Sequence, residues 1–118
     1  MPKFPRERRL RKQREFDAVY DSGVYAADHV LVLNGLPRDD QQLRLGLSVS
    51  RKVGNAVVRN RWKRLIRDAF RCCTPQLPEG WDIVVRPKKG AAADRSQIEK
   101  SLLNLASRLR ARRGPKPE

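Results

Sequence analysis

Histidine occurs once in this 118-residue chain, cysteine twice and aromatic residues at only 6%, while 13 acidic side chains face 27 lysines and arginines. Each scarcity removes a class of function. His29 is the single histidine, and no Ser/His/Asp or Cys/His pairing can be argued for it. Cys72 and Cys73 are adjacent, so they cannot close the loops of a secreted disulfide scaffold, and they lack the spacing and partner ligands of a zinc site. Asp39 and Asp40 stand together in PRDDQQ and read as turn formers rather than acid/base groups. No apolar run approaches the roughly 18 residues of a membrane span. The segment MPKFPRERRLRKQR is charged with no hydrophobic stretch behind it, unlike an export signal. These absences predict a reducing, cytoplasmic setting, no membrane role, and no catalytic residues in the protein itself.

What is abundant is positive charge. The formal net charge is +14, and it is clustered: residues 1–14 hold seven cations, 51–71 hold eight and 108–116 hold five. Such a chain is matched to a polyanion, with nucleic acid ahead of anionic lipid. At 39% hydrophobic residues it still supports a modest core. The length fits one domain over 1–118, with an ordered body at about 9–110, a basic arm over 1–12 and a disordered tail over 114–118.

The periodicity gives an order of elements. Phe16, Val19 and Tyr20 mark a short helix over 13–20, closed by Asp21, Ser22 and Gly23. Val24 to Ala26 and Val30 to Leu36 read as strands. LRLGLSV then alternates, with Leu43, Leu45, Leu47 and Val49 on one face and Arg44, Gly46, Ser48 and Ser50 on the other, as a half-buried antiparallel strand requires. That second face is low. It suits either close approach of a ligand or plain solvation, and solvation is the expectation. After Ser50 the period becomes 3.6: Asn55 is the expected N-cap, Val58, Trp62, Leu65, Ile66, Ala69 and Cys73 form an apolar stripe, and Thr74-Pro75 ends the helix. Trp81 to Arg86 is a last strand. A final helix begins near Asp94, with Ser96 and Glu99 at capping-box spacing and Ile98, Leu102, Leu105, Ala106 and Leu109 inward.

Opposite the apolar stripe, the middle helix carries Arg59, Lys63, Arg67 and Arg71 along one side, with Asn60 and Arg64 just beyond and only Asp68 acidic. A solvated face normally interleaves both signs, so an unrelieved cationic face points to phosphate contact with counterion release. Arg51, Lys52, Gly54 and Asn55 lead into the positive end of the same helix, a second place for phosphate. Phe16 and Tyr20 put two rings on one side of the first helix, fit for the core or for stacking on unpaired bases; spacing alone favours the core. A ribosomal RNA-binding protein, or a non-specific DNA-binding protein, would share the size and charge.

The segment LGLSVSRKVGNAVVRNRWKRLIRDAFR, with Arg59-Asn60-Arg61 followed by Lys63-Arg64, resembles the signature of the protein subunit of bacterial ribonuclease P. RLRKQREFDAVYDSG and WDIVVRP resemble that family's first helix and last strand. The resemblance implies a single αβββαβα two-layer α+β sandwich with a four-stranded sheet and a left-handed βαβ crossover, against the general rule for such crossovers. It implies a protein, monomeric by itself, that joins a catalytic RNA carrying magnesium. Together they remove the 5′ leader of precursor tRNA by hydrolysing one phosphodiester bond. By position, Arg51, Lys52, Asn55, Arg59, Asn60, Arg61, Lys63, Arg64, Arg67 and Arg71 would face the catalytic RNA. Phe16, Tyr20, Asn34, Arg44 and Ser48 would line the leader cleft, where the family often has an aromatic residue in place of Asn34.

Overall fold

The computed structural model describes residues 8–113. The expected tail over 114–118 and the first seven residues of the basic arm lie outside them. The order is α1 (Gln13–Ser22), β1 (Val24–Ala27), β2 (Leu31–Pro37), β3 (Arg44–Leu47), α2 (Ala56–Cys73), β4 (Trp81–Pro87) and α3 (Arg95–Arg113). The sheet runs β1-β2-β4-β3; β1, β2 and β4 pair antiparallel, whereas β3, expected to be antiparallel from its alternation, pairs parallel with β4, because alternation marks a half-buried strand and not its direction. That parallel pair forces α2 to cross over, and the β3–α2–β4 unit is the left-handed crossover implied by the resemblance.

Strand alternation divides the sheet. Leu31 and Leu33 of β2, Leu45 of β3 and Ile83 and Val85 of β4 are buried against α2 and α3, together with Trp62, Ile66, Ala69, Phe70, Cys73 and the inward leucines of α3. On the other face Val84 packs with Val19 and Leu10, with Phe16 and Leu36 half-buried beside them. α1 therefore covers only part of that face, and the rest is open to form a cleft.

Local chemistry explains the element ends. Asn55 caps α2: its Oδ1 accepts from Val58 N–H at 3.0 Å, and Thr74 and Pro75 divert the chain into a short 3-10 turn (Thr74–Gln76). α3 starts differently from the expectation. Asp94, not Ser96, accepts from Gln97 N–H at 3.1 Å, and Glu99 pairs with Arg95 at 3.0 Å, so the Ser96/Glu99 capping box does not form. Gly23 does end α1, in extended backbone; a Cβ there would strike the carbonyl oxygens of Val19 and Gly35. Val58, placed on the apolar stripe by spacing, is exposed at the first turn of α2, whereas Phe70 is fully buried.

The low face of β3 is neither solvated nor ligand-facing at Gly46. A Cβ there would come within 2.9 Å of the Phe16 ring and 3.0 Å of Leu10. Glycine is what allows α1 and the preceding strap to lie on the sheet. The strap is bonded there: Leu10 N–H donates to Leu45 O at 2.8 Å and Arg9 bridges to Leu45 in parallel. Among the described residues of the basic arm, Arg9 and Leu10 make this attachment to the sheet.

Candidate nucleic-acid interface

α2 carries Arg59, Arg61, Lys63, Arg64, Arg67 and Arg71 on its 18 residues, with Asp68 its single acid. Because Trp62, Ile66, Ala69, Phe70 and Cys73 take the buried side, the cations are turned outward; Asn60, Arg61, Arg64 and Arg67 are exposed, and Arg59 and Lys63 half-buried. Arg71 stands apart from the rest. It pairs with Asp68 at 2.5 Å, and Asp68 also holds Arg95 of α3 at 2.9 Å, so the far end of the face is neutralised and joined to the neighbouring helix. The Arg95 guanidinium, with Arg71 beside it, holds the Asp68 carboxyl below its ordinary range. Arg71, expected at the RNA contact, is thus tied up in helix packing.

The near end has no such relief. Arg9, Arg11, Lys63 and Arg67 converge with Leu10, Leu45 and Leu47 around a shallow pocket of about 210 Å³ at the β3 edge, with no carboxylate among its lining residues. Local desolvation, and the like charge of Arg9, push the Arg67 guanidinium below its ordinary value. Nε of Arg9 and Nε of Arg59 are buried without a protein partner. Cations crowded without counter-charge suit a phosphate backbone, which supplies the missing acceptors. Arg51 and Lys52 are exposed in the 3-10 turn Arg51–Val53 just before α2 and extend this surface. The glycine beside them is accounted for by packing, since a Cβ on Gly54 would meet the Val58 side chain at 2.8 Å.

On the opposite sheet face, a cleft of about 640 Å³ is lined by Tyr20, Val32, Ser48, Ser50, Arg86, Pro87, Lys88 and Lys89. The Arg86 guanidinium lies 5.6 Å from the centre of the Tyr20 ring and donates from Nη2 to Asn34 Oδ1 at 3.0 Å. Ser48 and Ser50 line the cleft and Arg51 follows them directly, so one short loop joins the cleft to the cationic face.

The structure separates the residues grouped by sequence. Tyr20 is exposed in the cleft, whereas Phe16, expected beside it, is half-buried over Gly46 and Leu10 in the small core under α1 and does not line the cleft. Arg44 is not brought to the cleft. Its Nε and Nη2 donate to the buried Asp82 carboxylate, each at 2.8 Å, and its Nη1 to Glu15 at 2.8 Å, so its fork clamps α1 to the sheet. Arg38 meets Asp82 from the other side at 3.2 Å, and Asp40, a turn former as expected, accepts from Arg38 and from Gln42 N–H. Two residues escaped the sequence reading: Arg86, which lines the cleft, and Tyr25, which register places on the sheet face of Asn34 and which is 60% exposed at the β1 edge with the Arg112 guanidinium of α3 5.7 Å from its ring centre. Strand alternation in WDIVVRP and VYAA was the available signal for both.

No group of three His, Cys, Asp or Glu side chains among the described residues could hold a metal ion. Burial pushes the Cys73 thiol up to about 11, away from reactivity. Nor is any described helix long and apolar enough to cross a membrane.

The family model described as Ribonuclease P matches residues 4–110. The chain belongs to the ribonuclease P protein family. The ribonuclease P protein component of Brevibacillus brevis is 43% identical, over 87% of this chain and 83% of its own length, and that of Desulfovibrio desulfuricans is 45% identical, over 90% and 85%. Among solved structures, the ribonuclease P protein of Thermotoga maritima superposes with a TM-score of 0.78 at 34% identity, covering 85% of this chain and 96% of that one. The protein of Staphylococcus aureus gives 0.75 at 32%, covering 85% and 93%. As the protein component of ribonuclease P, the chain has its place in tRNA processing, within an endoribonuclease complex.

Proposed function

We propose that the protein joins two RNAs: it binds the catalytic RNA through the cationic face of α2 and receives the 5′ leader of precursor tRNA in the cleft beside Tyr20. The observation that carries this reading is the arrangement of the two surfaces. A cationic face, without counter-charge at its Lys63–Arg67 end, and a ring-and-guanidinium cleft open on opposite sides of one sheet, joined by the loop from Ser48 to Lys52. Phosphate contacts would fix orientation, while the cleft suits an unpaired strand, whose bases stack on π-faces.

On this reading the protein performs no bond-making step. Catalysis and magnesium belong to the RNA, as the family resemblance implies, and no step is routed through a metal on this chain. The protein's contribution is electrostatic and positional. Two polyanions must approach each other, and a +14 body between them lowers their repulsion. The reading places the protein in the cytoplasm as a monomer until it meets the RNA.

Reconstitution tests it: cleavage of a leader-bearing precursor tRNA at low magnesium by bacterial ribonuclease P RNA alone, by this protein alone, and by both. Cleavage with both and with neither alone is expected, and the gain should shrink as magnesium is raised. No stimulation with a folded protein and a competent RNA would overturn the proposal.

A further inference from the structure

Beside the cleft stands an asparagine where the family resemblance leads one to expect a ring; Asn34 does not line the cleft itself but is engaged by Arg86, which does. Asn34 and Arg86 point to the same sheet face as diagonal neighbours, since Asn34 is paired with Val84 and Val32 with Arg86. Arg86 Nη2 donates to Asn34 Oδ1 at 3.0 Å, and the guanidinium stands over Tyr20. Among the described residues Arg86 makes no ion pair, its Nε has no partner, and the other cations of the cleft are Lys88 and Lys89. A guanidinium held by a neutral amide keeps its full charge and its remaining donors. Had a carboxylate stood at position 34, both would have been neutralised, as happens to Arg44 on Asp82.

We propose that Asn34 and Arg86 form a nucleotide subsite in the cleft, in which the Arg86 fork donates to a pair of acceptors on one leader nucleotide and Asn34 is the positioning residue that fixes the fork. This rests on the leader-cleft reading above. The acceptor pair is either O6 and N7 of a guanine or two oxygens of one leader phosphate, because both match a planar bidentate donor. A ring at position 34 would offer a π-face to any base; the amide-held fork selects for acceptors instead.

The test uses the holoenzyme, reconstituted with bacterial ribonuclease P RNA, and compares affinity for a leader-bearing precursor with affinity for leaderless tRNA. Arg86→Lys keeps the charge and most of the stem but loses the fork; Asn34→Ala keeps the fork but frees it. Each should lower affinity for the leader-bearing substrate by roughly 5- to 10-fold, the scale of a lost bidentate contact. Affinity for leaderless tRNA and the thermal midpoint of the protein should not move. Four leader sets, each with one base scanned along the cleft-bound positions, and a set with single methylphosphonates separate the two acceptor sources. A guanine preference that flattens in Asn34→Ala assigns the base edge, and a single methylphosphonate-sensitive position that Asn34→Ala abolishes assigns the phosphate. Full leader discrimination in Arg86→Lys or in Asn34→Ala would overturn the subsite and leave the cleft reading standing. A wild-type holoenzyme that binds both substrates equally would overturn the two together.

Discussion

The Glu15 carboxylate ties the start of α1 to β3 with both of its oxygens: Oε1 accepts from the N–H groups of Arg11 and Lys12 at 3.1 and 3.0 Å, and Oε2 pairs with Arg44 at 2.8 Å. Since α1 is also the element that carries Tyr20 into the cleft, this single acid connects helix capping, sheet attachment and the geometry of the site. Burial by itself would raise its pKa, but the two backbone donors and the Arg44 guanidinium outweigh it and bring it down to about 2.

That shift makes a pH prediction. The folded value lies below the ordinary 4.5, so the stabilisation is fully present above about 4.5 and is lost as pH falls toward 2. Thermal melts of the protein between pH 6 and 2 should show a decline over this window. Glu15→Gln should lower stability by on the order of 2 kcal/mol at pH 7 and flatten that part of the decline. An unchanged acid limb in Glu15→Gln would contradict the assignment of this decline to Glu15.

Phe16 and Tyr20 should separate under mutation although they share a helix face. Tyr20→Ala removes an exposed ring and should leave the melting temperature nearly unchanged while weakening the binding of leader-bearing precursor by about 1 to 3 kcal/mol. Phe16→Ala takes a half-buried ring off Gly46 and should destabilise the protein as well, by roughly 2 kcal/mol. Paired melts and leader-dependent affinities check both. Equal stability losses in the two variants would place Tyr20 in the core.

On α2, Arg64→Ala and Lys63→Ala should each weaken binding to the catalytic RNA and reduce the slope of log affinity against log salt by about 1, with no loss of helical circular dichroism. Arg71→Ala should behave differently. Its partner Asp68 bridges to Arg95, so its principal effect is expected on stability, with a smaller change in the salt slope. A full unit of slope lost in Arg71→Ala would return that residue to the RNA contact.

The cap on α2 gives a prediction confined to the fold. Asn55→Ala removes the acceptor for Val58 N–H and should lower stability by about 1 kcal/mol, a fall of roughly 4 °C for a domain this size. No change would indicate that the preceding 3-10 turn, where Val53 N–H donates to Ser50 O at 3.1 Å, organises the helix start unaided.

Local rules carried the sequence reading wherever the answer was local. Asn55, Pro75 and the 3.6-residue spacing of Trp62, Ile66, Ala69 and Cys73 define α2 within its own segment, so the cationic face opposite them was legible too. The left-handed crossover came only with the family resemblance, because general rules favour the other hand. Arg44 reads as a polar strand residue with a free guanidinium until β4 is placed beside β3. Register then sets Asp82 directly across from it, 38 residues away in the chain. The Asn34–Arg86 bond spans 52 residues and depends on β2 and β4 being neighbours, which strand order alone decides. Gly46 is open space in the sequence and becomes the seat of Phe16 only when α1 folds back onto the sheet.

The central claim is that two surfaces of one sheet serve two different RNAs, and site-specific crosslinking in the reconstituted holoenzyme tests it most directly. A photoreactive amino acid would be placed at position 20 in one variant and at position 64 in another, with the leader and the catalytic RNA carrying different labels. The account predicts crosslinks from position 20 to the leader and from position 64 to the catalytic RNA. Crosslinks from both positions to the same RNA, or the reverse pairing, would contradict it.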